Sequence, residues 1–98
     1  MLTKDSEPRN IRLTIPVVAV LKVFAAAEPG PEHFAARIHL ETGIQLGTLY
    51  RVLPRLEAAG WLTSRMESKR AANKEARPPR RYYRLTRFGK EQVKGIAT

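Results

Sequence analysis

The sequence contains no cysteine, which excludes disulfides, thiolate metal sites and a cysteine nucleophile. No apolar run approaches the roughly 18 residues that a membrane-spanning helix needs. The opening stretch, Met1-Leu2-Thr3-Lys4-Asp5-Ser6-Glu7-Pro8, lacks the apolar core of a signal peptide. A soluble, cytoplasmic chain is therefore expected. Catalytic constellations are missing as well. Ser6, Ser64 and Ser68 have no Gly-x-Ser-x-Gly context, and there is no Walker-type glycine loop. His33 and His39 are six positions apart and so are expected on different faces of the same helix, with no paired acids beside them. No enzyme, metal or cofactor is expected. Internal repeats and long low-complexity tracts are also absent.

Acidic residues are scarce: nine against eighteen Lys and Arg, a net charge of +9 over 98 residues. That length is one domain's worth of chain, and 43% hydrophobic content is enough for a core. The imbalance is local. Residues 1–50 hold five basic and five acidic residues, whereas residues 51–98 hold thirteen basic against four acidic. Between Arg65 and Arg87, nine basic residues meet two acidic ones. A neutral scaffold beside a cationic surface points to a polyanionic partner.

Residues 1–10 are polar and read as a flexible N-terminal segment, followed by one domain over 11–98. Ile11-Arg12-Leu13 alternates like a short strand. Thr14 is placed to cap a helix with Pro16 in its first turn, running on from Val17 to Ala27. This helix is more apolar than one buried face requires, and Glu28-Pro29-Gly30-Pro31 ends it. A second helix is expected from about Pro31 to Thr42, with Glu32 in its first turn, an inner stripe of Phe34, Ala35, Ile38 and Thr42, and Gly43 just past its end.

The third helix, about residues 45–59, is the most informative. At 100° per residue, Leu46, Leu49, Leu53 and Leu56 fall within an arc of about 80°. Thr48, Arg51 and Arg55 fall within an arc of about 60° on the opposite side. Pro54 should kink or shorten this helix, and Gly60 closes it. Two helices joined by a tight glycine-containing turn form a helix-turn-helix. The period then changes. Trp61 to Met66 and Arg80 to Leu85 read as paired strands, with Tyr83 and Leu85 on one face and Tyr82 and Arg84 on the other. Between them, Glu67 to Pro79 is expected to be a flexible polar loop carrying Lys69, Arg70, Lys74 and Arg77. Thr86 caps a last helix, Arg87 to about Ala97, whose apolar residues are Phe88, Val93 and Ile96 and which Gly89 and Gly95 weaken.

The pattern predicts a mainly α fold with a small β-hairpin at about residues 61–86: a winged helix-turn-helix. Its chemistry suits duplex DNA. A helix fits the major groove and would present Thr48, Arg51 and Arg55 to base edges, while a cationic wing suits phosphates or the minor groove. Gly47 leaves room for a phosphate near the helix start. For Tyr50 the competing role is core packing, and for Arg55 a surface ion pair. Of Tyr82 and Tyr83, one is expected in the core and the other at a phosphate.

Gly43-Ile44-Gln45-Leu46-Gly47-Thr48-Leu49-Tyr50-Arg51-Val52-Leu53 resembles the third-helix motif of PadR-like transcriptional regulators. Arg55-Leu56-Glu57-Ala58-Ala59-Gly60-Trp61-Leu62 is similar to the continuation of that motif, and Arg80-Arg81-Tyr82-Tyr83-Arg84-Leu85-Thr86-Arg87-Phe88-Gly89 to the family's returning wing strand. The resemblance spans about residues 14–90. It implies a winged-helix repressor, a homodimer on a pseudo-palindromic operator. By position, Gln45, Thr48, Tyr50 and Arg51 would face DNA, and the basic wing residues, Arg80 and Arg81 included, would contact its backbone.

Two departures stand out. The family motif has Pro where Arg51 stands here. Family members also continue into a long C-terminal region that builds the dimer, whereas eleven residues follow Arg87 here. Any homodimer is then expected to use the apolar first helix and the last helix. A small-molecule effector is not expected, and Trp61 reads as core. The competing functions are a winged-helix protein–protein adaptor and an RNA-binding module.

Overall fold

The structure is a computed structural model that describes residues 11–26 and 32–97. The flexible segment expected at 1–10 and the breaker at Glu28–Pro31 lie outside the described residues. Thr14 begins the first helix, α1 (Ile15–Ala26), as its side chain suggests. Its Oγ1 accepts from the Val17 N–H at 3.3 Å, and its carbonyl from the Val18 N–H at 2.9 Å. Val17, Val20, Leu21 and Phe24 recur at helical spacing and are buried, making α1 the central strut against α2, α3 and α5, defined below. No strand forms at Ile11–Leu13. Ile11 packs on the core instead, and the two strands among the described residues pair with each other.

The second helix, α2 (Ala35–Thr42), starts later than the sequence suggests. His33 is held in a β-bridge, its N–H donating to the Tyr83 carbonyl at 2.9 Å and its carbonyl accepting from the Tyr83 N–H at 2.7 Å. Glu32 is therefore not in a helical first turn, and His33 does not share a helix with His39. Phe34 is the cap residue. Ile38 is fully buried. Gly43 ends the helix at φ 76°, with its N–H on the His39 carbonyl, as the left-handed cap geometry requires. Thr42 Oγ1 donates to the Ile38 carbonyl at 2.7 Å and accepts from the Ile44 N–H at 3.1 Å, which shapes the turn.

The third helix, α3 (Leu46–Ala58), buries Leu49, Leu53 and Leu56. Pro54 does not shorten it: the helix runs on to Ala58. The ring sits on the exposed side, so it displaces no core side chain and costs one hydrogen bond, that to the Tyr50 carbonyl. The exit is a Schellman turn, with Trp61 N–H on the Leu56 carbonyl, Gly60 N–H on the Glu57 carbonyl, and Gly60 at φ 84°.

Strand β1 (Leu62–Met66) then pairs antiparallel with β2 (Arg81–Leu85), Leu62 opposite Leu85 and Met66 opposite Arg81. Between them stands an unforeseen short helix, α4 (Lys69–Lys74), and the last helix, α5 (Arg87–Ala97), follows. Tyr83 and Leu85 face the core. Thr86 binds β2 back to the end of α3: its Oγ1 donates to the Gly60 carbonyl at 2.6 Å and accepts from the Gly89 N–H at 2.9 Å. Gly89 has a reason to be glycine, because a Cβ there would overlap the Trp61 carbonyl. Trp61 is buried, with its ring edge-on to Phe88. The architecture is a winged helix-turn-helix.

Candidate nucleic-acid interface

The leucine stripe of α3 is its buried face, so the opposite face is turned outward by the same periodicity. Gln45, Gly47, Tyr50, Arg51 and Arg55 are exposed and Thr48 is half-exposed. Tyr50 is 64% exposed, which decides against core packing. A Cβ at Gly47 would meet nothing within 4 Å, so the chain's own packing does not demand a glycine there. Arg51 and Arg55 have no ion-pair partner among the described residues. The surface ion pair considered for Arg55 is not formed there.

Around this helix lie two clefts. One, of about 430 Å³, runs between α3 and the segment leading into α1, and is lined by Arg12, Thr14, Thr48, Arg51, Val52 and Arg55 among others. The other, also about 430 Å³, opens between α3 and the wing, and Tyr50, Arg80 and Arg81 line it with Phe34 and Met66. Six of the twelve predicted residues thus fall into two groups, Thr48, Arg51 and Arg55 in one cleft and Tyr50, Arg80 and Arg81 in the other.

The wing is not a flexible loop. Ser68 caps α4, its Oγ accepting from the Ala71 N–H at 3.1 Å, and Ala72 is fully buried. Glu67 closes the base of this tip. Its carboxylate takes Arg77 Nη1 at 2.5 Å and Nη2 at 3.0 Å, and the Arg80 N–H at 3.2 Å. Those hydrogen bonds, Arg77's foremost, hold the Glu67 carboxyl down at about 2. Arg77, expected to contact DNA, ties the wing internally, its guanidinium facing the Glu67 carboxylate in bidentate fashion. Lys69, Arg70 and Lys74 are exposed on α4.

A second set of contacts joins the wing to the segment before α2. Arg65 grips Glu32 through Nε at 2.9 Å and Nη2 at 2.7 Å, which lowers the Glu32 carboxyl pKa and raises that of Arg65. Arg65 also lies 5.1 Å from the Tyr82 ring centre, Tyr82 is edge-on to Phe34, and Arg80 stacks 3.9 Å over Phe34. Arg81 donates to Ser64 Oγ at 3.0 Å, and Ser64 donates to Glu57 of α3 at 2.7 Å. Sequence reasoning missed Arg12 and the Glu32–Arg65 pair. Arg12 carried a signal, a cation two residues before a helix cap; the ion pair joins residues far apart in sequence and had none.

His33 is 8% exposed, edge-on to Phe24, with its Nε2 unpartnered. Burial pushes its pKa below 6.5. Among the described residues no group of three His, Asp or Glu could hold a metal, and no helix is long and apolar enough to cross a membrane.

Known proteins share this arrangement. A PadR family transcription regulator from Clostridium difficile superposes with a TM-score of 0.70 at 18% identity, over 86% of this chain and 84% of that one. A PadR-like transcriptional regulator from Bacillus cereus gives 0.62 at 18% identity, over 85% and 78%. A protein from Ralstonia eutropha gives 0.67 at 21% identity, over 89% of this chain and the whole of that one. At such identities the likeness is one of fold. No curated protein matches the sequence. The model of the transcriptional regulator PadR-like family, a family of regulators and not of enzymes, matches residues 32–95. With well over half of its length matched, the chain belongs to the PadR-like family of transcriptional regulators.

Proposed function

We propose that the protein is a sequence-specific, double-stranded DNA-binding transcriptional repressor that acts in the cytoplasm as a homodimer. In this reading α3 enters the major groove, Thr48, Arg51 and Arg55 reach base edges, and Gln45, Gly47 and Tyr50 border the flanking backbone. Lys69, Arg70 and Lys74 of the wing tip, with Arg80 and Arg81 at its base, meet phosphates or the adjacent minor groove. The observation that carries the reading is the outward face of α3. It stands opposite the buried Leu49, Leu53 and Leu56, and its Arg51 and Arg55 have no carboxylate partner among the described residues. Bidentate arginine is the commonest reader of guanine in the major groove.

Selection from a randomised duplex library at about 150 mM salt, with sequencing of the bound pool, tests it. Enrichment of an inverted repeat with half-sites about one helical turn apart is the expected result. Enrichment of a single half-site would remove the homodimer, and an unenriched pool would turn the reading toward RNA or a protein partner.

A further inference from the structure

Arg12 belongs to no helix or strand, yet its position is fixed on both sides. Ile11 before it packs on the core. Thr14 after it donates its N–H to the Arg12 carbonyl at 3.1 Å and caps α1. This short tether lays Arg12 along the cleft whose other wall is Thr48, Arg51 and Arg55 of α3. The described arginines differ in their partners, and most of them hold no carboxylate. Arg37, Arg65 and Arg77 each hold a carboxylate, of Glu41, Glu32 and Glu67 respectively. Arg12, Arg51 and Arg55 hold none among the described residues, and these are the three that line one cleft. Converging like charges repel and are stabilised when an anion arrives; guanidinium is suited to phosphate because its fork can meet two oxygens.

Geometry separates the roles of the three. An α-helix with its side chains is about 10–12 Å across and fills a major groove about 12 Å wide. Side chains on α3 reach base edges, while a cation on the neighbouring element cannot follow the helix in and lies over the strand at the groove's rim. We propose that Arg12 is a third member of the DNA-contacting surface and binds a backbone phosphate flanking the bases read from α3. The inference rests on the duplex-DNA reading above and adds to it a contact outside the helix-turn-helix and wing.

The test compares Arg12→Ala, Arg12→Gln and Arg12→Lys with the unmodified protein on the selected duplex and on random duplex, across salt. Lys22→Ala, used only once sedimentation shows that it keeps the oligomeric state of the unmodified protein, serves as a charge control, since Lys22 is exposed on α1 and does not line the cleft. Arg12→Ala and Arg12→Gln are expected to weaken both duplexes by the same factor, about fivefold to tenfold, and to lower the log–log salt slope by about one unit. Arg12→Lys should keep most of the slope, and Lys22→Ala should leave it unchanged. An unchanged slope in Arg12→Ala, a loss confined to the selected sequence, or an equal loss in Lys22→Ala would each overturn the assignment while leaving the duplex-DNA reading in place. If the unmodified protein shows no salt-dependent binding to any duplex, both fall together.

Discussion

Replacing Gly89 by alanine sets two effects of opposite sign against each other. Gly89 lies in the first turn of α5, where alanine is favoured over glycine by at most about 1 kcal/mol. On propensity alone the variant would be more stable. The structure predicts the reverse, because the new Cβ would overlap the carbonyl oxygen and crowd the carbonyl carbon of Trp61, with Leu85 pressing from a third side. A backbone carbonyl cannot rotate out of the way as a side chain can. This one also accepts the Thr86 N–H at 3.0 Å, so moving it disturbs the tie between α3, β1 and β2. Overpacking of this kind costs about 1–3 kcal/mol, and the rigid neighbour puts it near the upper end. The net is a destabilisation of about 1–2 kcal/mol, which for a domain of this size lowers Tm by about 5–15 °C. Thermal unfolding at neutral pH measures it, with Gly95→Ala as reference. A Cβ at Gly95 meets nothing within 4 Å, so that change should be neutral or stabilising. A Gly89→Ala protein that melts at or above the Gly95→Ala protein would refute the argument.

Arg51→Ala should cost about 1–3 kcal/mol at one or two base positions of the selected site if this side chain reads guanine; equal weakening on all sequences would mark it as a phosphate contact instead. Glu67→Gln removes a negative charge from a cationic wing, so charge alone predicts tighter DNA binding. Loss of the bidentate tie to Arg77 predicts weaker binding with a smaller salt slope, and a tighter-binding variant would show that the tie does not position the wing. Acid should destabilise the fold in two stages. His33, whose folded pKa is lowered below 6.5, stabilises the fold fully above that value and loses its contribution as pH falls below it. Glu67, with 4.5 as its ordinary value and about 2 in the fold, contributes above 4.5 and loses its share between the two. Urea titrations across pH in the parent and in His33→Phe check this, and an identical slope between pH 7 and 5 in both would exclude His33.

The elements set by local chemistry could be read directly. Thr14 caps α1, Gly43 and Gly60 end α2 and α3, Tyr83 and Leu85 alternate with Tyr82 and Arg84, and the leucines of α3 mark its buried side. What escaped was decided by contacts distant in sequence. The start of α2 moved to Ala35 because His33 pairs with Tyr83. From sequence Arg77 reads as one more basic residue of the wing, because nothing in Glu67–Pro79 reveals that its ends are joined by an ion pair. The helix α4 buries a single residue, Ala72, so it has no hydrophobic period to detect. Its signal was weaker and of another kind, Ser68 followed by good helix formers. On α3 the outward placement of Thr48, Arg51 and Arg55 follows from periodicity, but the second group of Tyr50, Arg80 and Arg81 needed the hairpin register to appear.

The bridge between His33 and Tyr83 has a mechanical consequence. It ties the approach to α2 to a wing strand already paired on its other edge, and the Glu32–Arg65 pair and the Phe34–Arg80 stack reinforce the joint. The wing can then neither swing nor slide relative to α3 without breaking several bonds at once. On duplex DNA, a reader whose two prongs keep a constant spacing cannot adapt to local groove width. The helix must bend or narrow to meet it, and easily deformed steps such as TA or CA do so most readily. Part of the preference for a site would then be recorded in base pairs that no side chain touches, between the one under α3 and the one beneath the wing.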